Sequence, residues 1–188
     1  ESSISRKKLT EKLGIKNGKY LLAVYHPVTE EYSKIETQID KIIQVLNLSP
    51  LNKVWILPNN DSGSLIVKKK IIHNKSSDHY LFENLKREDY LNLLKHSECI
   101  IGNSSSGIIE APSFGIPCIN IGRRQNKRVQ AKNVINVQKY ELSKIKLALR
   151  KAISCSARPA LTTSRNLPSS RDIIRSSRTP PVSFRKTE

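Results

Sequence analysis

The chain has 188 residues, 37% of them apolar and 26% charged, which is enough for one folded domain with a buried core. No run of about 18 apolar residues occurs, so no membrane-spanning helix is expected, and the polar opening Glu1 to Lys8 does not read as a signal peptide. The formal net charge of +17 raises nucleic-acid binding, but the 20 Lys, 6 Arg and 14 acids of residues 1–151 are widely spread and aromatics make up 5%, which favours a lysine-rich solvated surface.

Residues 1–18 read as a linker or the start of the domain. The chain contains no methionine, which leads us to expect that it starts inside a longer protein. Tyr20-Leu-Leu-Ala-Val-Tyr25 is a continuous apolar run and predicts a buried strand. Ile35, Ile39, Ile42, Ile43 and Leu46 recur at helical spacing and predict a helix over Ile35 to Leu48. Lys53-Val-Trp-Ile-Leu57 predicts a second strand, closed by the turn residues Pro58-Asn-Asn-Asp-Ser-Gly63. A helix is expected over Leu65 to Ile72 and a short strand over His79-Tyr-Leu-Phe82. Arg87-Glu88-Asp89 opens a helix carrying Tyr90, Leu91, Leu93 and Leu94, its acids suited to the positive N-terminal end.

Glu98-Cys-Ile-Ile101 predicts the next strand, followed by the loop Gly102-Asn-Ser-Ser-Ser-Gly107 and a short helix from Ile108 to Phe114, stopped by Gly115 and Pro117. Cys118-Ile-Asn-Ile121 and Val134-Ile-Asn-Val137 predict the last strands, and Leu142 to Leu149 a closing helix. Cys99, Cys118 and Cys155 are an odd count without a CxxC spacing; Cys99 and Cys118 sit in apolar strand-like runs, so we expect these two to be reduced, buried thiols in a cytoplasmic protein, and no metal site. Basic usage changes at residue 152: residues 152–188 hold 6 Arg and 1 Lys with 8 Ser and 4 Pro. Such a segment buries too little apolar surface to offset its ordering entropy, so it reads as a disordered tail foreign to the fold. Strands alternating with helices over 19–151 predict an α/β fold, a Rossmann-like parallel sheet with helices on both faces.

Ligands of such sheets bind at the carboxyl ends of the strands. Four polar loops lie there: His26 to Thr29, Pro58 to Gly63, Gly102 to Gly107, and Arg123-Arg124-Gln125. The third is built of small residues and enters a helix, so its amides and the hydroxyls of Ser104 to Ser106 suit a phosphate; an ordinary serine cap would look the same. Arg124 offers a planar fork to a diphosphate, Glu110 reaches a sugar hydroxyl, and His26 beside Pro27 is placed to donate to a phosphate or to move a proton. Each of these residues also has a bland structural role.

Taken together these loops resemble the UDP-N-acetylglucosamine 2-epimerase family, especially its hydrolysing branch. The matching stretches, in order and in register over about residues 8–150, are Tyr25-His-Pro-Val-Thr29, Leu57-Pro-Asn-Asn-Asp-Ser-Gly63, Ile101-Gly-Asn-Ser-Ser-Ser-Gly107, Glu110-Ala-Pro-Ser-Phe-Gly-Ile-Pro117, and Ile121-Gly-Arg-Arg-Gln125 with Asn133-Val134. The resemblance implies the second half of a GT-B architecture, with a missing N-terminal domain that supplies the catalytic carboxylates, and a homo-oligomer when full length. It implies that Ser104 and Ser105 hold the diphosphate, Glu110 the ribose, and the segment from Leu85 to Tyr90 the uracil. Arg124, Asn59 and His26 would then face the diphosphate and sugar of a UDP-sugar substrate, with His26 nearest the chemistry. No cofactor is implied. Two departures stand out: Lys127 where the family tends to carry glycine, and a tail without the family's closing segment. The alternatives weighed are a GT-B glycosyltransferase C-terminal domain, a non-hydrolysing epimerase and a basic nucleic-acid binder.

Overall fold

A computed structural model describes residues 4–16, 18–59 and 61–156. Six strands, β1 (Tyr20–Val24), β2 (Asn52–Ile56), β3 (His79–Phe82), β4 (Cys99–Gly102), β5 (Cys118–Ile121) and β6 (Val134–Val137), form one sheet in the order β3-β2-β1-β4-β5-β6. Every pairing is parallel. The helices are α1 (Arg6–Lys12), α2 (Ile35–Asn47), α3 (Ser64–His73), α4 (Arg87–His96), α5 (Ser106–Ile109) and α6 (Leu142–Ser156). Among the described residues no helix is long and apolar enough to cross a membrane.

The apolar run of β1 follows from burial on both faces, because successive side chains of a strand point to opposite sides. Leu21, Ala23 and Tyr25 join Trp55, Ile101, Ile119 and Ile121 in a core covered by α2, α3 and α6. Tyr20, Leu22 and Val24 join Val54, Ile100 and Cys118 in a second core covered by α1 and α4. Each fully buried aliphatic or aromatic side chain contributes about 1.5–3 kcal/mol, so β1 is the thermodynamic centre of the sheet. The periodic isoleucines of α2 point into the first core. Cys99 and Cys118 lie in different cores, on opposite sides of the sheet, and burial pushes both thiols up, Cys118 to about 12, so neither is a nucleophile at neutral pH.

Before residue 19, α1 buries Leu9, and Arg6 donates to the carbonyl of His96 at 3.1 Å, docking the helix beside α4. Two boundaries differ from the sequence-based reading. At the other end α6 runs five residues past the change in composition, carrying the buried Ala152, and the rest of the expected tail lies outside the described residues. Helix α5 starts at Ser106 rather than Ile108 and gives way to a 3₁₀ turn, Ala111–Phe114.

The strand order places the site. From β1 the chain steps outward through β2 and β3, then crosses back to β4 and proceeds the other way. The carboxyl edge at the β1–β4 reversal is where ligands of open parallel sheets bind.

Candidate functional site

At that edge the β1–β4 ladder ends with Val24 opposite Gly102. Gly102 has φ +139°, and a Cβ there would lie far inside van der Waals contact with the carbonyl oxygen of Val24. Only glycine lets the two backbones come this close. The chain then turns so that the Asn103 amide donates to Val24 O at 3.2 Å.

The Asn103 side chain, 1% exposed, makes two bonds to one residue: Oδ1 accepts from His26 N–H at 2.8 Å, and Nδ2 donates to His26 O at 2.7 Å. Its carbonyl accepts from Gln125 Nε2 at 2.9 Å and from Arg124 Nη1 at 3.3 Å. The loops after β1, β4 and β5 are thereby joined. His26 and Arg124, predicted from sequence to share a site, are both hydrogen-bonded to Asn103 of the Gly102 to Gly107 loop.

The imidazole of His26 is half-buried, and its pKa is lowered first by that burial and then by the charge of Arg124, with Asp61 opposing. It is therefore neutral at pH 7, able to donate from one ring nitrogen and accept at the other. Beside it opens a cleft of about 630 Å³, whose walls hold Pro27, Val28, Thr29 and Ser62, the acids Glu30, Glu31 and Asp61, and the cations Arg123 and Arg124. A cavity of similar volume lined by Ile66, Lys69, Ile72 and His73 lies on the outer face of α3. It is remote from the carboxyl edge and holds none of the predicted residues.

On the other side of Asn103 the serines form a hydroxyl chain. Tyr90, from α4, is hydrogen-bonded through its hydroxyl to Ser106 Oγ, and Ser106 Oγ is 3.1 Å from Ser104 Oγ. The amides of Ser106, Gly107, Ile108 and Ile109 turn inward onto oxygens of Ser104 and Ser105. The helix start thus offers a ligand fewer amides than its sequence suggests. Among the described residues the donors left are the amides of Ser104 and Ser105 and the rotatable hydroxyls.

Glu110 lies one turn on. Its Oε1 is 4.0 Å from the exposed guanidinium of Arg87, while Oε2 is buried with no partner among the described residues. A buried carboxylate oxygen without a donor is costly unless something supplies one, which suits a hydroxyl-bearing ligand. Leu85 is half-buried before α4 and packs against the same core as Tyr90. Asn59 is exposed on the loop after β2 and has no hydrogen bond to another described residue. Among the described residues no group of three or more His, Cys, Asp or Glu side chains converges as metal ligands would.

The sequence signature of the UDP-N-acetylglucosamine 2-epimerase family extends over residues 1–168. The chain belongs to this family. It is 34% identical over 150 residues to UDP-N-acetylglucosamine 2-epimerase of Neisseria meningitidis, covering 80% of this chain and 40% of that protein. It is 37% identical over 122 residues to UDP-N,N'-diacetylbacillosamine 2-epimerase (hydrolyzing) of Legionella pneumophila, covering 63% of this chain and 32% of the relative. The solved structure of a Neisseria meningitidis UDP-GlcNAc 2-epimerase bound to UDP-GlcNAc shares its fold, with a TM-score of 0.59, 18% identity, and coverage of 81% and 43%. The chain spans well under half the length of these relatives.

Within this epimerase-family fold, Lys127 has φ +70°, the one non-glycine residue with positive φ among those described. The position noted above as glycine in the family is thus a left-handed turn, and a lysine backbone is strained there. Lys127→Gly is expected to raise stability by about 0.5–1 kcal/mol, read as a higher urea midpoint at unchanged slope. An unchanged or lower midpoint would show the turn to be unstrained.

Sequence reasoning missed Asn103 and Gln125. A signal for Asn103 existed: it directly follows the strand's last glycine, where a sheet leaves backbone groups unpaired, and asparagine carries both a donor and an acceptor.

Proposed function

We propose that this chain is the nucleotide-gripping half of a UDP-N-acetylglucosamine 2-epimerase of the hydrolysing type, taking UDP-N-acetylglucosamine or a related UDP-2-acetamido sugar. The observation that supports the reading is that Asn103, directly before the Ser104–Ser105 turn, hydrogen-bonds both the His26 backbone and Arg124 at the point where the strand order reverses. In this reading Arg124, Ser104 and Ser105 hold the diphosphate, Glu110 takes the ribose hydroxyls on its unpartnered oxygen, and the turn from Leu85 to Tyr90 flanks the uracil. Asn59 faces the sugar.

The reaction removes a proton from C2 and breaks the C1–O bond, whose electron pair leaves on the diphosphate. Water then adds to the glycal-like intermediate and the free 2-epimer, such as N-acetylmannosamine, is released. Negative charge grows on the departing diphosphate, so fixed donors at the crevice stabilise the transition state more than the ground state. Neutral His26 is placed to donate to that oxygen. Proton transfer at C2 needs positioned carboxylates, which this reading assigns to a second Rossmann-like half facing the crevice and making up much of the relatives' remaining length. The hydrolysing assignment is supported by the stretch Tyr25-His-Pro-Val-Thr29, which lacks the arginine-rich run after the histidine typical of the non-hydrolysing branch.

Calorimetry tests the reading. UDP is expected to bind the 188-residue chain, and UDP-N-acetylglucosamine is expected to yield no free N-acetylmannosamine above background. Failure to bind UDP, or tight salt-sensitive binding of duplex DNA instead, contradicts the nucleotide site. Turnover by the chain alone contradicts the assignment of C2 chemistry to a second half.

A further inference from the structure

Beyond Val24 and Gly102 the chains of β1 and β4 diverge, and the N–H and C=O of His26 lose the sheet partners that a longer ladder would give them. Buried backbone groups left unpaired are strongly disfavoured. Asn103 replaces the missing strand: its carboxamide faces the His26 peptide groups as another peptide would, accepting at 2.8 Å and donating at 2.7 Å. The same residue's carbonyl receives Arg124 at 3.3 Å and Gln125 at 2.9 Å. Gln125 is 2% exposed, so this second tie is also sheltered from water.

We propose that Asn103 is a positioning residue, which sets the place of His26 relative to Arg124 and so shapes the crevice for an anionic diphosphate. It acts through those two side chains. The inference rests on the nucleotide reading above. The chemistry required is specific: a carboxamide one methylene from the backbone presents a donor and an acceptor side by side. Aspartate would set a second acceptor against the His26 carbonyl, serine is too short, and glutamine displaces the group by a methylene. A purely stabilising role would lower the melting temperature of Asn103 variants but leave the folded molecules' site unchanged.

The test uses Asn103→Ala in the 188-residue chain, with folding checked by thermal unfolding. The first readout is the imidazole NMR titration of His26, assigned with His26→Gln. Burial and Arg124 hold this histidine below its ordinary range, and release by Asn103→Ala is expected to move its titration upward. The second is UDP affinity in a double-mutant cycle with His26→Gln. Asn103→Ala is expected to weaken UDP about tenfold, the size of one well-placed hydrogen bond, and to add little once the His26 imidazole is gone. Should Asn103→Ala not fold, Gln125→Ala removes one tie to the same carbonyl and is expected to shift both readouts in the same sense by less. A His26 titration unmoved in the folded variant, or losses that simply add, would overturn the proposal. If the unmodified chain binds no UDP, the nucleotide reading falls, and the His26 titration still decides whether Asn103 positions that residue.

Discussion

Gly102→Ala is expected to bring the chain close to unfolding. The new Cβ would meet the carbonyl oxygen and carbon of Val24 and the amide of Tyr25, all backbone atoms at the end of the central strand and just beyond it, which cannot give way as a flexible side chain would. The φ of +139° adds strain for any L-residue. Strain at a rare backbone conformation costs about 1–3 kcal/mol and overpacking in a rigid core about as much again, so a loss of about 3–5 kcal/mol is expected. That is a large share of the roughly 5–15 kcal/mol that small domains possess. Urea unfolding followed by Trp55 fluorescence reads it directly, because Trp55 is the chain's single tryptophan and is fully buried. With a slope of about 1–3 kcal/mol per molar urea, the midpoint is expected to fall by about 2 M. Gly115 is the contrast: its φ is +67° but a Cβ there meets nothing within 4 Å, so Gly115→Ala pays only the turn strain of about 1 kcal/mol. Equal midpoints for the two variants would mean that β1 and β4 do not approach as described.

Removing Ser104 and Arg124 together is expected to weaken UDP about a hundredfold while leaving the fold intact. One terminal nitrogen of Arg124 is spent on Asn103 O at 3.3 Å, and the exposed remainder of the guanidinium is free to meet phosphate oxygens. A hydrogen bond to a charged group contributes about 1.5–3 kcal/mol and a neutral hydroxyl about 1 kcal/mol, so the pair accounts for about 3 kcal/mol. The Arg124 share is electrostatic and is expected to shrink as salt rises. Neither residue belongs to a core, so the double variant should melt within a few degrees of the parent. Unchanged UDP affinity in the folded double variant would remove these two residues from the site.

The sheet was legible in the sequence because its strands are short apolar runs bounded by Pro, Gly and Asn, and because α2 repeats isoleucine with a helical period. The N-terminal helix was not, since Leu9 and Ile15 are too few apolar residues in a charged stretch to show a period. The start of α5 was missed for a related reason: Ser105 and Ser106 carry no apolar signal. The break proposed at residue 152 rested on arginine replacing lysine and on Ser and Pro counted over the whole of 152–188, which says nothing about helix formation in its first five residues. In the structure Ile145, Ala148, Leu149 and Ala152 continue one buried stripe.

The site was half legible. Its loops could be placed at the carboxyl edge from strand order alone, and the family resemblance supplied roles for His26, Ser104, Glu110 and Arg124. What joins them could not be read. Asn103 meets His26 across 77 residues of chain, and local pattern carries no information on such a contact. Sequence likewise suggested open amides at the start of α5. In the structure those of Ser106 to Ile109 bond within the turn, which shifts weight onto Arg124 and the amides of Ser104 and Ser105.

The most direct test is to add UDP to the isotopically labelled chain and map which backbone amides shift. The crevice at the strand reversal predicts that His26, Ser104, Ser105, Glu110 and Arg124 respond together, and that Lys69 and His73 on the outer face of α3 stay still. Shifts confined to the α3 groove, or none at the β1 and β4 loops, would contradict a diphosphate held where those strands part.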